Sequence, residues 1–377
     1  MIILIEPQCV GWQHEGVNAG FIECVKRNIG EETVKVFAEK GHIQCLRNLL
    51  TDVEKDILFY AIDVPNKKLD YATSFVDYYR LFRKIFCNEE NSSARAIFLL
   101  SCNKGNLIAI KKMVLLFEKT NFYIVMHAIA EQLINKEKVP RHTIVPFKWI
   151  LDEFSEKRNV RLITYSPLAK DVLSNVLKRK TLDKIVFFHH PFPTWKQKIQ
   201  DVNGDGKMHI AILGAGVRKD VYDFINLIDK EITGKITFDI MSRSEIDFTK
   251  LKNVRIINKG QTITNTEISK LIGESYFVFL PYTHKEYRVS CSGVLIDAIR
   301  NAVPILSFDS SLVVWYNQYH IGKVCSSHDE MRDYLIQLND NKNDRRLYQQ
   351  NISALRQRMI EENDVTMRQF CGGGRSE

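Results

Sequence analysis

The chain has 377 residues, too many for one ordinary α/β domain and comfortable for two. Hydrophobic residues make up 45%, the usual share for a globular protein, which excludes a disordered or fibrous class. A formal net charge of +8 admits nucleic acid, an anionic membrane surface or phosphate-bearing substrates, but without a zinc finger, RNA-recognition motif or basic zipper nucleic acid is set aside.

Residues 1–5 are apolar, but no basic residue precedes them and Glu6 follows, so they read as a first strand rather than a signal peptide. No apolar run reaches the ~20 residues of a spanning helix, and a soluble, cytoplasmic protein is expected. Short apolar runs then alternate with longer amphipathic ones, the pattern of βα units on a parallel sheet. Strands are predicted at 2–5, 33–38, 56–62, 96–101, 122–126, 160–164 and 184–188, and helices at 18–28, 43–51, 71–86, 106–119, 144–156 and 168–178. Residues 91–93 read as a loop.

The first strand is followed by a loop with glycines at 11, 16 and 20, which let the backbone approach a ligand, and Asn18 suits the cap of the next helix. His14 and Glu15 fall at the C-terminal end of a parallel strand, where open α/β sheets bind their ligands. His127 ends a later strand in the same way. His189 and His190, in a Pro-rich exit turn, have no carboxylate nearby in sequence and do not read as a metal site. Basic residues gather between Lys170 and Lys198, notably Lys178, Arg179 and Lys180. They make either a solvated helix end or a patch for anionic lipid head groups.

Residues 201–207 are the most turn-rich stretch before the C-terminus and the expected boundary. They open like a calcium-binding loop, but Ile212 occupies the position that needs a bidentate acid, so a linker is expected. The domains are therefore drawn at 1–200 and 208–343, with a helix over 344–370. In the second domain strands are predicted at 208–213, 235–240, 253–258, 276–280, 303–308 and near 323–325. The eight cysteines are scattered without a C-x-x-C pair, which suits reduced thiols, and Cys291 reads as a small buried side chain.

Two loops of this second domain carry chemistry. Gly214-Ala215-Gly216 follows its first strand, but Lys219 replaces the third glycine of a dinucleotide fingerprint. A glycine turn with Arg218 and Lys219 suits a diphosphate better than a nicotinamide cofactor. Residues 281–306 read as strand end, basic loop with Lys285 and Arg288, helix and next strand. Ser292 is a good N-cap and Gly293 opens the first turn to a close neighbour, so its amides and dipole suit a phosphate. Asp297 lies about one turn in, within reach of a polar group bound above the helix start.

The order Pro281-Tyr282, basic loop with Arg288 and Ser290, Ser292-Gly293, helix with Asp297, then Val303-Pro304-Ile305 resembles the donor segment of GT-B glycosyltransferases. The resemblance extends more weakly over most of the chain. It implies two Rossmann-like α/β domains with an interdomain cleft, the acceptor side first and the donor side second. It also implies a C-terminal helix crossing back to the first domain. The activity implied is transfer of a sugar from a nucleotide-sugar to a glycan or lipid-linked glycan hydroxyl, with no cofactor. By this resemblance Gly214, Gly216, Arg218, Lys219, Tyr282, Arg288, Ser290, Ser292, Gly293 and Asp297 bind the donor, and residues 259–262 line the base. His14 or Glu15 is the catalytic base and His127 touches the donor sugar. Retaining members carry two acids eight residues apart; Asp297 fits the second, but Val289 stands at the first, so an inverting displacement is as well supported. With no D-x-D pair, a metal-bridged donor is not expected. A sugar-nucleotide epimerase and a non-catalytic glycan- or partner-binding member of the fold are the alternatives.

Overall fold

The computed structural model describes the chain except residues 52, 66–70, 135–140, 195–205, 215–216, 233, 243–245, 259–263, 339–342 and 373–377. Two compact units emerge from its contacts, Met1–Thr194 with Ile360–Glu377, and Trp195–Met359. The expected linker, apart from Gly206 and Lys207, lies outside the described residues.

The first unit contains strands β1 (Ile2–Ile5), β2 (Val34–Ala38), β3 (Ile57–Ala61), β4 (Ala96–Leu99), β5 (Asn121–Val125), β6 (Val160–Thr164) and β7 (Ile185–Phe187). Its helices are α1 (Glu15–Asn28), α2 (Lys40–Leu49), α3 (Tyr71–Phe86), α4 (Glu89–Ser92), α5 (Lys104–Leu116), α6 (His127–Ile134), α7 (Arg141–Phe154), α8 (Ala169–Leu173) and α9 (Arg179–Leu182). All strand pairs are parallel, in the order β3-β2-β1-β4-β5-β6-β7. The order reverses between β1 and β4, and that switch point leaves a crevice at the strands' C-terminal ends. Phe21 of α1 locks the helix layer to the sheet, its ring centroid 5.4 Å from Phe98 and 5.2 Å from Phe188.

The second unit repeats the plan with β8 (Met208–Leu213), β9 (Ile236–Met241), β10 (Val254–Ile256), β11 (Phe277–Leu280), β12 (Ile305–Phe308) and β13 (Gly322–Cys325). Its helices are α10 (Lys219–Ile228), α11 (Asn265–Gly273), α12 (Gly293–Arg300), α13 (Ser311–Asn317) and α14 (His328–Gln337). The order β10-β9-β8-β11-β12-β13 is again parallel, with its switch point between β8 and β11. Apolar side chains from both layers, among them Phe224, Phe238, Phe277 and Phe279, form its core.

The last helix, α15 (Asn343–Cys371), serves both units. Arg345 donates to the Ser275 carbonyl and Arg356 to the Arg300 carbonyl in the second unit. In the first unit Asp364 accepts from Arg27 and Asn28, both at 2.7 Å, and the Tyr123 hydroxyl donates to the Phe370 carbonyl. Among the described residues no helix is long and apolar enough to cross a membrane.

Several elements differ from expectation. Helix α1 begins at Glu15 rather than at residue 18, because His14 takes the cap position with a left-handed φ of 53° and no side-chain cap. No capping residue advertises that start. Helix α6 was not expected; its apolar sequence continues that of β5, and an apolar run alone does not separate strand from helix. The loop expected at 91–93 contains the end of α4, capped by Asn88, and the helix expected at 168–178 is only α8, with α9 a separate turn.

Candidate functional site

At the first switch point, Glu6 is fully buried where β1 ends. Its carboxylate accepts from the amides of Gln8 (2.9 Å) and Cys9 (3.0 Å), from Asn18 Nδ2 (3.0 Å) and from the Ser101 hydroxyl. Asn103, the N-cap of α5, donates to the Gln8 side-chain carbonyl. The loops after β1 and β4 are thus stitched together across the reversal. Asn18 does not cap α1; it sits one turn inside the helix and donates to both Glu6 and His42 Nε2, 3.0 Å away. That leaves the ring proton on His42 Nδ1, which lies 2.7 Å from the Gly11 carbonyl. The Gly11 amide donates to Glu39, so the left-handed turn at Gly11 is pinned from both sides.

These elements enclose a cavity of about 500 Å³ lined by Trp12, Gln13, His14, Asn18, His127 and Tyr165, among others. His14 is exposed and meets His127 edge-on, ring centroids 4.6 Å apart. Burial, helped by His14 and His190, pushes His127 down to about 3, so its ring is neutral at ordinary pH. Glu15 does not line this cavity; it is buried and accepts a hydrogen bond from the Cys45 thiol, which burial raises to about 11. Gly20 serves packing rather than a ligand, because a Cβ there would lie 2.4 Å from the Phe192 backbone. His189 binds Glu362 and Asn363 of α15, and among the described residues no group of three or more His, Cys, Asp or Glu could hold a metal.

At the second switch point, Gly214 takes a φ of 63°, and Gly216 lies outside the described residues. Arg218 stands at the N-cap position of α10 without a side-chain cap bond and crosses to the loop after β11: it donates to the Glu286 carboxylate at 2.8 Å and the Pro281 carbonyl at 2.7 Å, besides Asp220. Its hydrogen bonds to Asp220, then the nearby Glu286 charge, raise its pKa further. Lys219 is exposed beside it.

Ser292 caps α12 as expected from sequence, accepting from the Leu295 amide at 3.2 Å. Its hydroxyl also bonds the buried Tyr282 hydroxyl, and Tyr287, at a left-handed φ of 54°, packs on the Tyr282 ring at 4.6 Å. A Cβ added to Gly293 would meet nothing within 4 Å, so the space over the helix start is open. Arg288 is exposed and has no ion pair among the described residues; Ser290 is half-buried beside it. Asp297 is turned to Arg300, 3.3 Å away, which in turn donates to Ser269 of α11. Burial raises the Asp297 pKa and Arg300 counters it. Cys291 is buried, pushed up to about 12, and is no reactive thiol. A neighbouring cavity of about 330 Å³ is lined by Arg218, Tyr282, Thr283, His284, Asp309 and His328, among others. The loop at 259–262 falls outside the described residues.

No protein-family model and no curated protein matches the sequence. Solved structures match it end to end. HepE of Anabaena, in complex with UDP and glucose, superposes with a TM-score of 0.66 at 9% identity, covering 99% of both chains. A glycosyltransferase from Rickettsia africae gives 0.62 at 11% identity over 99% of each chain. UGT89C1 of Arabidopsis thaliana, complexed with UDP-L-rhamnose, gives 0.59 at 11% over 98% of each. The chain has the GT-B fold.

Within this GT-B chain, sequence reasoning found the loops but missed several residues that organise them. Glu6 is one of them; its signal in the sequence is a carboxylate directly at the end of a fully apolar run. His42, Ser101 and Tyr165 carry no local signal, because each is recruited by strand order. Glu286 lies inside the donor segment, but its pairing with Arg218 depends on β8 and β11 being neighbours.

Proposed function

We propose that this GT-B protein transfers a sugar from a nucleotide-sugar to a hydroxyl of a glycan or lipid-linked glycan, without a metal ion. The observation that carries the reading is the second switch point, where Arg218 joins the β8 and β11 loops in the unit that also holds an open helix start and the exposed Arg288, which has no ion pair among the described residues. Backbone amides at Gly293 and Val294, the helix dipole, Arg218, Lys219 and Arg288 would take the charge that develops on the departing diphosphate. Tyr282, Ser290 and Ser292 would shape the loop around it, with the left-handed Gly214 allowing the turn to come close; Gly216, the second glycine of the sequence motif, lies outside the described residues. Asp297 supports the helix through Arg300 and is not assigned to the sugar.

In the first unit His14 is the favoured base over Glu15, because it is exposed in the cavity whereas Glu15 is bound to Cys45. His14 would take the proton of the acceptor hydroxyl as its oxygen bonds to the anomeric carbon. The carbon–oxygen bond to the diphosphate breaks, its electrons go to the phosphate, and the anomeric centre inverts. His127, held neutral, offers a hydrogen-bonding ring to a sugar hydroxyl. HepE and UGT89C1 are solved with uridine nucleotides, so UDP-sugars are the first donors to test.

The test measures binding of UDP, GDP, CMP and TDP and of the matching nucleotide-sugars without added metal, followed by nucleotide release in the presence of glycan acceptors. Expected are binding of one nucleotide diphosphate, acceptor-dependent turnover, and a fall of about 10²-fold or more in kcat for His14→Ala. Consumption of the nucleotide-sugar without acceptor would favour an epimerase. Binding without turnover, or no binding, would favour a glycan- or partner-binding protein.

A further inference from the structure

We propose that the first unit carries a second ligand site, at the β2–β3 edge of its sheet, for a ring-bearing anion: a sugar or aromatic ring with one phosphate or carboxylate. A parallel strand covered on both faces calls for apolar side chains throughout. Strand β2 breaks that rule at Lys35, which is only 6% exposed. Buried lysines are rare and must be satisfied. The Lys35 ammonium is held by Asn91 at 2.9 Å and by Glu90 at 3.1 Å, a carboxylate whose own side chain is 74% exposed.

Around this ammonium the structure leaves a cavity of about 440 Å³ in place of packed side chains. Lys35 and Phe37, two residues apart, share one face of β2. Phe37 is in register with Tyr60 of β3 and stacks on it, ring centroids 4.9 Å apart, and the Lys35 ammonium lies 5.6 Å from the Tyr60 ring. From α3, Arg80 and Lys84 line the same cavity, where Asp63 is the other acid besides Glu90. The arrangement therefore has an aromatic floor and three lining cations, of which Lys35 is held by Glu90 and Arg80 by Asp77 at 3.8 Å, and it suits a flat ring whose anionic group reaches Lys84. Its volume lies in the range of small-molecule sites. Among the described residues none lines both this cavity and the one at His14, so the proposal is independent of the catalytic reading.

Isothermal calorimetry with glucose 6-phosphate, glucuronate, 4-hydroxybenzoate and inorganic phosphate on the full chain tests this. At least one ring-bearing probe is expected to bind with a Kd below ~1 mM, and the preferred probe tells a sugar from an aromatic ring. Lys84→Ala and Tyr60→Ala, at partly exposed positions that leave the core intact, are expected to weaken it about tenfold or more, and Arg288→Ala to leave it unchanged. Failure of every ring-bearing probe to bind, or equal binding by both cavity variants and wild type, would overturn the site. Inorganic phosphate binding as tightly as the best ring-bearing probe would overturn the ring requirement. Lys35→Met, if it folds, is expected to abolish binding altogether.

Discussion

The Arg218 guanidinium and the Glu286 carboxylate, 2.8 Å apart, join the loops that leave the two switch-point strands of the second unit. A second hydrogen bond from the same guanidinium, to the Pro281 carbonyl, fixes the chain as it leaves β11. Arg218 thus shapes the loop that presents Arg288 and the α12 start, and adds its own charge there.

Arg218→Ala is expected to lower UDP affinity about tenfold, roughly 1.4 kcal/mol, in calorimetry at low salt. Arg218→Lys should recover only part of this, because an ammonium cannot reproduce the fork that reaches Glu286 and Pro281 together. Unchanged affinity in the alanine variant would restrict Arg218 to tying the loops.

Ser292→Ala removes an N-cap and leaves the buried Tyr282 hydroxyl without that partner. The two losses together are expected to cost about 2 kcal/mol, seen as a Tm lower by roughly 4–8 °C. Nucleotide binding should weaken as well. A variant as stable as wild type would mean that Tyr282 finds another partner.

The glycines separate packing from ligand space. Gly20→Ala forces a methyl into the Phe192 backbone and is expected to destabilise by about 3 kcal/mol. Gly293→Ala meets nothing, so chemical denaturation should find stability within about 0.5 kcal/mol of wild type, while nucleotide-sugar affinity falls. Full affinity in Gly293→Ala would remove the helix start from the donor site.

Acid sensitivity should come from the first unit. His127 is held down to about 3 and His190 to about 4, both chiefly by burial, against an ordinary value of 6.5. Above pH 6.5 neither ring contributes. As pH falls below 6.5 the unfolded chain binds protons that the folded rings refuse, and stability drops on the order of 2 kcal/mol per ring by pH 5. The loss continues until the folded values are reached. Denaturation midpoints at pH 7.5 and 5.0 are expected to show it, and His127→Asn to reduce it by about half; an equal loss in that variant would assign the sensitivity elsewhere.

Much of this was legible in the chain because the relevant forces are local. Strands buried on both faces need apolar runs, so β1 stands out at its observed limits, and β6 and β8 do so as well although each carries a polar side chain, Arg161 and His209, off the core. Ser292 was legible as a cap because a serine hydroxyl reaches an amide three residues on, whatever surrounds it. Asn18 shows the opposite case: its type suggested a cap, yet its amide is spent on Glu6 and His42, and the cap position passed to His14, which has no capping chemistry.

By itself, then, the sequence determined two runs of βα units, their glycine turns and the Ser292-Gly293 helix start, each set by residue chemistry within a few positions. Only the tertiary structure decided the partners: Glu6 with Ser101, Gly20 with Phe192, Arg218 with Glu286 and Lys35 with Asn91. These pairs are separated by tens of residues and meet through strand order and helix packing. A buried carboxylate or ammonium acquires its role from whatever the fold brings within hydrogen-bonding distance of it.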